Sequence, residues 1–140
     1  MSGTDRGAWI VDASVALKWF MPPEAEPDWE LARQIIGNQS LRTTSLAFYE
    51  VGNVLGKLAT FSPDQVVSSL ETIQHICGKP VDLDPADYSV CAEIAHANGI
   101  TFYDASYVAI AQRMGRKVLS ADSDLLGPGL ARDLKSVAGF

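Results

Sequence analysis

The chain has 140 residues, of which 47% are apolar and 20% are charged, and this composition excludes a chain that is disordered throughout. No stretch approaches the roughly 20 consecutive apolar residues of a membrane-spanning helix, so we expect no membrane association. The net charge of −6 argues against a nucleic-acid binder with a basic face, unless a bound divalent metal reverses the local charge.

The cysteine content and the N-terminal composition indicate the cellular compartment and the domain organisation. Cys77 and Cys91 are too few for a disulfide framework and fit a reducing compartment, so we expect a cytoplasmic protein. Residues 1–7 are polar and predict a flexible leader. No repeat or long linker divides the remainder, which predicts a single domain over residues 8–140.

Hydrophobic periodicity and turn residues predict the elements in chain order. The first half predicts, in order, a strand at 8–12, helices at 13–20 and 26–37, a strand at 41–43, and helices at 45–59 and 63–76. The second half predicts a strand at 80–83, helices at 84–97 and 103–114, a strand at 117–120 and a last edge strand at 134–137. This alternation predicts an α/β fold with a mainly parallel sheet and helices on both faces.

Four acids stand out because of their positions relative to these elements. Asp12 ends the first strand, Asp122 follows the strand at 117–120, and Asp104 opens a helix. Ligands of parallel sheets bind beyond the carboxyl ends of the strands, which is where these acids are expected. Glu50 lies on the apolar stripe of its helix, where an acid is costly unless it is paired or bound to metal.

Each acid also has an ordinary structural interpretation when it is taken alone. Asp12 and Asp122 are common turn residues, Asp104 fits a helix cap, and Glu50 can reach solvent or pair with a basic residue. Only the set of four points to a site. Several oxygen ligands without histidine or cysteine suit Mg²⁺ or Mn²⁺, and paired ions of this kind serve phosphodiester cleavage.

Four segments resemble the conserved motifs of PIN-domain proteins, in particular VapC-type toxins of bacterial and archaeal toxin–antitoxin pairs. They are VDASVALKWF at 11–20, LAFYEVGNVL at 46–55, YDASYVA at 103–109 and LSADSDL at 119–125. The resemblance covers about residues 8–137, with the motifs in the family's order. It implies a three-layer α/β/α PIN-like fold, Mg²⁺- or Mn²⁺-dependent endoribonuclease activity, a homodimer and a small VapB-like antitoxin that blocks the site.

The resemblance also implies roles for individual residues. The metal-binding and catalytic acids are Asp12, Glu50, Asp104 and Asp122. Auxiliary roles fall to one further acid and to two hydroxyls that hydrogen-bond an acid or a metal-bound water, namely Asp124, Ser14 and Ser120. The RNA target does not carry over, because family members cleave different RNAs.

Contacts to the RNA backbone are expected from four basic residues, whose alternative interpretation is solvated surface: Lys18, Arg113, Arg116 and Lys117. Three aromatic residues suggest either a groove for an antitoxin helix or plain core and dimer interface, namely Trp19, Phe20 and Trp29.

Two other functional classes remain open. Aspartate-based phosphotransfer also uses an acid at the end of a first parallel strand, but a dehalogenase-like site has a second acid two residues later, where this chain has Ser14. The other class is a catalytically silent PIN fold that only binds RNA or protein, and substitution of Asp12 separates it from a nuclease.

Overall fold

The computed structural model describes residues 7–137. Its sheet has three parallel strands, β1 (Ala8–Val11), β2 (Ser40–Arg42) and β3 (Lys117–Leu119), in the order β2-β1-β3. The central strand β1 pairs with both neighbours, with Ile10 opposite Arg42 of β2 and Val118 of β3. All three carboxyl ends therefore open at one edge of the sheet.

Eight α-helices connect and cover these strands within the described residues. They are α1 (Ala13–Leu17), α2 (Trp29–Gln34), α3 (Ser45–Gly56), α4 (Pro63–Cys77), α5 (Tyr88–Asn98), α6 (Phe102–Arg113), α7 (Ser123–Leu126) and α8 (Leu134–Val137). Two 3₁₀ turns precede α2 and α5, at Pro23–Ala25 and Pro85–Asp87. None of the helices described has the length and apolar character of a bilayer span.

Successive residues of β1 face opposite sides, and this alternation divides the core into two layers. Val11 packs with buried residues of α1, α3 and α4, including Val15, Val51 and Ile73. Ile10 packs on the other side with residues of α6, including Tyr107. The chain therefore has the three-layer α/β/α architecture with a parallel central sheet that the sequence predicts.

Two predicted strands differ from the structure. The strand at 80–83 contracts to one parallel bridge between Val81 and Thr44, because Pro80 has no N–H to donate and Asp84 already begins the next helical turn. The edge strand predicted at 134–137 is wrong. That segment forms α8, with Asp133 accepting from the amide of Ser136 at 2.9 Å.

Arg132 provides the edge pairing that the tail was expected to supply. It forms a parallel bridge with Leu119, donating its amide to the carbonyl of Val118 and accepting from the amide of Ser120. The helix predicted at 26–37 begins later, at Trp29, because Pro27 holds Glu26 in an extended conformation and Asp28 has a positive φ of 61°. Most of the leader predicted at 1–7 lies outside the described residues.

Candidate functional site

Asp12 occupies the point where β1 passes into α1. Its carboxylate caps α1 by accepting from the amide of Val15 at 3.2 Å. Two hydroxyls fix the same carboxylate: Ser14 donates to Oδ1 at 2.6 Å, and Ser120 donates to Oδ2. Because Ser120 directly follows β3, the pairing of β1 with β3 brings these groups together.

Burial shapes the charge state of Asp12, whose exposed fraction is only 4%. Burial raises the pKa of Asp12 to about 6, and the negative charge of Asp122 adds to the rise. The hydrogen bonds from Ser120, Ser14 and the Val15 amide act in the opposite direction, because they stabilise the carboxylate. A buried acid of this kind is suited to a cationic ligand.

Glu50 reaches the site from the middle of α3, where Tyr107 of α6 donates a hydrogen bond to its Oε1 at 2.5 Å. Tyr107 is almost completely buried. Burial and the neighbouring charges of Glu50 and Asp12 raise the pKa of Tyr107 far above its usual range, so it remains a hydrogen-bond donor. Tyr107 is not among the site residues predicted from the sequence, although its position one helical turn after Asp104 was a signal.

Asp104, Asp122 and Asp124 form the most compact acidic group. A carboxylate oxygen from each lies within 4.8 Å of the other two. Asp104 is in the first turn of α6, and its amide donates to the capping hydroxyl of Thr101 at 3.0 Å. Asp122 caps α7 by accepting from the amide of Asp124 at 2.9 Å. The structure thus places Asp124 beside two of the four predicted acids.

Electrostatic repulsion extends from Asp104 and Asp122 to the other two predicted acids, Glu50 and Asp12. Burial raises the pKa of Asp104, and the negative charges of Asp122, Glu50 and Asp124 raise it further. Asp122 also acts on Asp12, as noted above. None of the charges that shift these two aspartates, among the residues that the structure describes, is a cation. The arrangement is a concentration of hard oxygen ligands, which suits Mg²⁺ or Mn²⁺.

Two of the basic residues expected to contact RNA are engaged elsewhere. Lys18 is 6% exposed, with its ammonium 2.7 Å from the carbonyl oxygen of Pro27 and 3.5 Å from a carboxylate oxygen of Glu26. Arg113 forms an ion pair with the buried carboxylate of Asp87 at 2.9 Å. Neither side chain, in this arrangement, is presented to a ligand at the acids.

The other two basic residues lie towards the opposite end of the sheet. Arg116 donates to the carbonyl oxygens of Trp9 and Ser40, near the amino ends of β1 and β2. Lys117 is exposed and begins β3, about 10 Å along the strand from Ser120. Neither of these two side chains therefore lies beside the acids.

The aromatic residues considered for an antitoxin groove belong largely to the core. Trp19 is buried, donates its indole N–H to the carbonyl of Ala32 at 2.8 Å, and meets Phe20 edge to face. Phe20 is partly buried against the same cluster. Trp29 is partly exposed and stacks with the guanidinium of Arg33.

Comparison with known proteins identifies the family. The model of the PIN domain matches residues 9–127. Ribonuclease VapC3 of Pyrobaculum aerophilum is 33% identical over 123 residues, which is 83% of this chain and 90% of the relative.

Two solved structures have a similar fold. The crystal structure of PAE2754 from Pyrobaculum aerophilum has a TM-score of 0.66 at 25% identity and covers 96% of both chains. A toxin–antitoxin complex from Klebsiella pneumoniae has a TM-score of 0.70 at 12% identity, covering 91% of this chain and 98% of that one. The motifs, the three-layer fold and the matched length agree, and the chain belongs to the PIN-domain family, among its VapC-type members.

Proposed function

We propose that this chain is a Mg²⁺- or Mn²⁺-dependent endoribonuclease and the toxin of a VapBC-type toxin–antitoxin pair. The observation that carries the proposal is the clustering of acids at the carboxyl edge of a parallel sheet. Carboxylate oxygens of Asp104, Asp122 and Asp124 lie within 4.8 Å of one another, and the Ser120 hydroxyl donates to the carboxylate of Asp12 and accepts from the amide of Asp122. Acids that repel one another and lack a cationic neighbour call for a metal ion as their partner. The relative named as a ribonuclease supports RNA as the substrate.

The proposed division of labour follows from the contacts. Asp12, Glu50, Asp104 and Asp122 would hold the metal, and Asp124, with a carboxylate oxygen within 4.8 Å of those of Asp104 and Asp122, would join them. A divalent ion bound there supplies positive charge to a phosphodiester and lowers the pKa of water. Ser14 and Ser120 hold both oxygens of Asp12, and Tyr107 holds Oε1 of Glu50, so these three hydroxyls fix the direction of the acids.

The proposed partners follow from the relatives. A VapB-like antitoxin is supported by the similarity to the toxin–antitoxin complex from Klebsiella pneumoniae. A homodimer and a cytoplasmic location complete the proposal, in keeping with the family resemblance and with the two free, buried cysteines. Co-purification with the product of an adjacent small reading frame tests the antitoxin, and light scattering tests the dimer.

The cleavage experiment compares four reactions on a mixed RNA pool that includes a circular RNA. They are the wild-type protein with Mg²⁺, the wild type with EDTA, and the Asp12→Asn and Asp64→Asn variants with Mg²⁺. Asp64 is an exposed acid on α4, so its variant controls for a change in net charge. We expect cleavage only by the wild type and Asp64→Asn with Mg²⁺, and linearisation of the circle marks an endonuclease.

The same reactions decide between the nuclease and a silent binding module. Cleavage that persists in Asp12→Asn contradicts the four-acid site. A folded, antitoxin-free wild type that binds RNA but cuts none of it in Mg²⁺ or Mn²⁺ favours the binding module instead.

A further inference from the structure

An apolar cavity of about 330 Å³ lies between the N-terminal halves of α3 and α6. Leu46 and Tyr49 line it from α3, and Tyr103, Ser106 and Ile110 line it from α6. Val81 and Leu83 also line it. The volume falls at the small end of ligand pockets, which run from roughly 300 to 1,000 Å³. It suits a single ring system and is too small for a helix.

The cavity is adjacent to the acids because the same two helices carry both. Tyr49 immediately precedes Glu50, and Tyr103 immediately precedes Asp104. One residue corresponds to about 100° of rotation around a helix, so the cavity and the acids occupy neighbouring faces of α3 and α6. The hydrogen bond between Tyr107 and Glu50 holds these two helices together at that point.

The aromatic side chains at the cavity are unusually exposed. Tyr49 is 71% exposed, Tyr103 is 66% exposed and Phe102 is 45% exposed. Large exposed aromatic groups in one place generally mark a binding surface. Unpaired bases of single-stranded nucleic acids stack on exposed aromatic side chains. These rings lie beside the acids at which a phosphodiester would bind.

The charge distribution favours the same ligand. The net charge is −6, and the basic residues first expected to contact RNA are buried, paired or at the far end of the sheet. These four basic residues form no basic track beside the acids, so RNA needs a further source of affinity there. Stacking supplies it, because base–aromatic contacts do not depend on protein charge.

We propose that the cavity between α3 and α6 is a nucleobase subsite, in which Tyr49 and Tyr103 hold one unpaired base of the RNA next to the bond that is cut. This inference rests on the proposed nuclease function and adds that the protein binds an unpaired base of its RNA substrate. The preferred substrate is therefore a single-stranded or looped RNA.

A nuclear magnetic resonance titration tests the subsite without any need for cleavage. The four nucleoside 5′-monophosphates and ribose 5-phosphate, which lacks a base, are each added at millimolar concentration with Mg²⁺ to the wild-type protein. We expect at least one nucleotide, and not ribose 5-phosphate, to shift the ring signals of Tyr49 and Tyr103. Ring signals that no nucleotide moves overturn the subsite.

Kinetic measurements use two truncations and two matched controls. Tyr49→Ala and Tyr103→Ala remove the stacking rings, Tyr103→Phe keeps the ring, and Tyr88→Ala removes an exposed tyrosine of α5 outside the cavity. We expect each truncation to raise KM for RNA about fivefold or more while kcat changes little. Of the controls, Tyr88→Ala should retain the wild-type KM, and Tyr103→Phe should raise KM less than Tyr103→Ala because the ring remains. Equal KM values for all variants overturn the proposal.

Two results separate this inference from its alternatives. If nucleotides shift the ring signals but RNA is not cut, the proposed nuclease function fails while the subsite stands. If Tyr103→Ala changes the oligomeric state measured by light scattering, the cavity is an interface between copies of this chain, and the subsite is overturned.

Discussion

Asp12 illustrates at the residue scale how a buried acid makes folding depend on pH. Its pKa is about 6 in the folded protein and near 3.8 in the unfolded chain. The folded state therefore keeps a proton that the unfolded chain has already lost in this window, and stability falls as the pH rises through it. A shift of about two units corresponds to a loss of about 3 kcal/mol above the window.

The first prediction compares the wild type with Asp12→Asn in EDTA. The asparagine variant does not lose a proton at this position, so its free energy of unfolding relative to the wild type should increase by about 3 kcal/mol between about pH 4 and pH 7. Urea unfolding at several pH values measures the difference. Parallel stability profiles for the two proteins contradict the assignment of the raised pKa to Asp12.

The second prediction concerns Tyr107, which orients Glu50 through a single hydrogen bond. Tyr107→Phe keeps the buried ring but leaves Glu50 without this donor. Because hydrogen bonds to charged groups contribute roughly 1.5–3 kcal/mol, we expect kcat/KM for RNA to fall about tenfold or more. Tyr88→Phe on the exposed face of α5 is the matched control, and equal activity of the two variants contradicts a positioning role.

At the scale of the elements, α6 connects the fold to the site. Its N-terminal turn carries Asp104, its next turn carries Tyr107, and its last residue, Arg113, is anchored to Asp87. The helix is buried along most of its length between the sheet and α5. A disturbance of its N-terminal cap should therefore be transmitted to the acids directly.

The third prediction tests that cap with Thr101→Val. The change removes the hydroxyl that accepts from the amide of Asp104 and that lowers the pKa of its carboxyl group. We expect a loss of about 1 kcal/mol in stability and a higher Mg²⁺ concentration for half-maximal activity. Thr101→Ser retains the hydroxyl and should behave like the wild type, whereas a wild-type Mg²⁺ requirement in Thr101→Val contradicts the link.

On the scale of the whole molecule, repulsion among the acids lowers the free energy of unfolding. The three parallel strands and α3 and α6 bring like charges to one edge of the sheet, and packing in both core layers holds them there. A cation that binds only the folded protein offsets this cost.

The fourth prediction is that Mg²⁺ raises the melting temperature. At a Mg²⁺ concentration about ten to one hundred times the dissociation constant, binding adds roughly 1–3 kcal/mol to the free energy of unfolding. Each kcal/mol raises the melting temperature by about 2–4 °C for a domain of this size. Asp104→Asn should reduce the rise, whereas Asp64→Asn should leave it unchanged. Calorimetric scans with and without Mg²⁺ provide the measurement, and a constant melting temperature contradicts metal binding at the acids.

Much of the fold could be predicted because local patterns and tertiary structure agree. Ser62 and Pro63 begin α4 as expected, with Ser62 and Gln65 forming a complete capping box. The tail was mispredicted because the apolar pattern of four residues fits a strand or a helix equally well. Asp133 and the burial of Leu134 in the core select the helix.

The sequence singles out the four acids because each stands at a recognisable boundary or stripe. The pairing of β1 with β3 accounts for the position of Asp12 beside Ser120 and the segment that carries Asp122. The contacts that the basic residues make could not be predicted in this way. Lys18 is buried against Pro27 and Glu26, and Arg113 is held by Asp87, which lies 26 residues away along the chain. Such partners depend on distances in space that no local pattern encodes.

The sequence by itself determined the α/β class, the parallel sheet and most of the helices, because periodicity, caps and strand ends are local properties. Only the tertiary structure decided that Tyr107 holds Glu50, that a carboxylate oxygen of Asp124 lies within 4.8 Å of those of Asp104 and Asp122, and that Tyr49 and Tyr103 flank one cavity. These features arise where α3, α6 and the loop before α7 approach one another, and packing of the two core layers sets that approach.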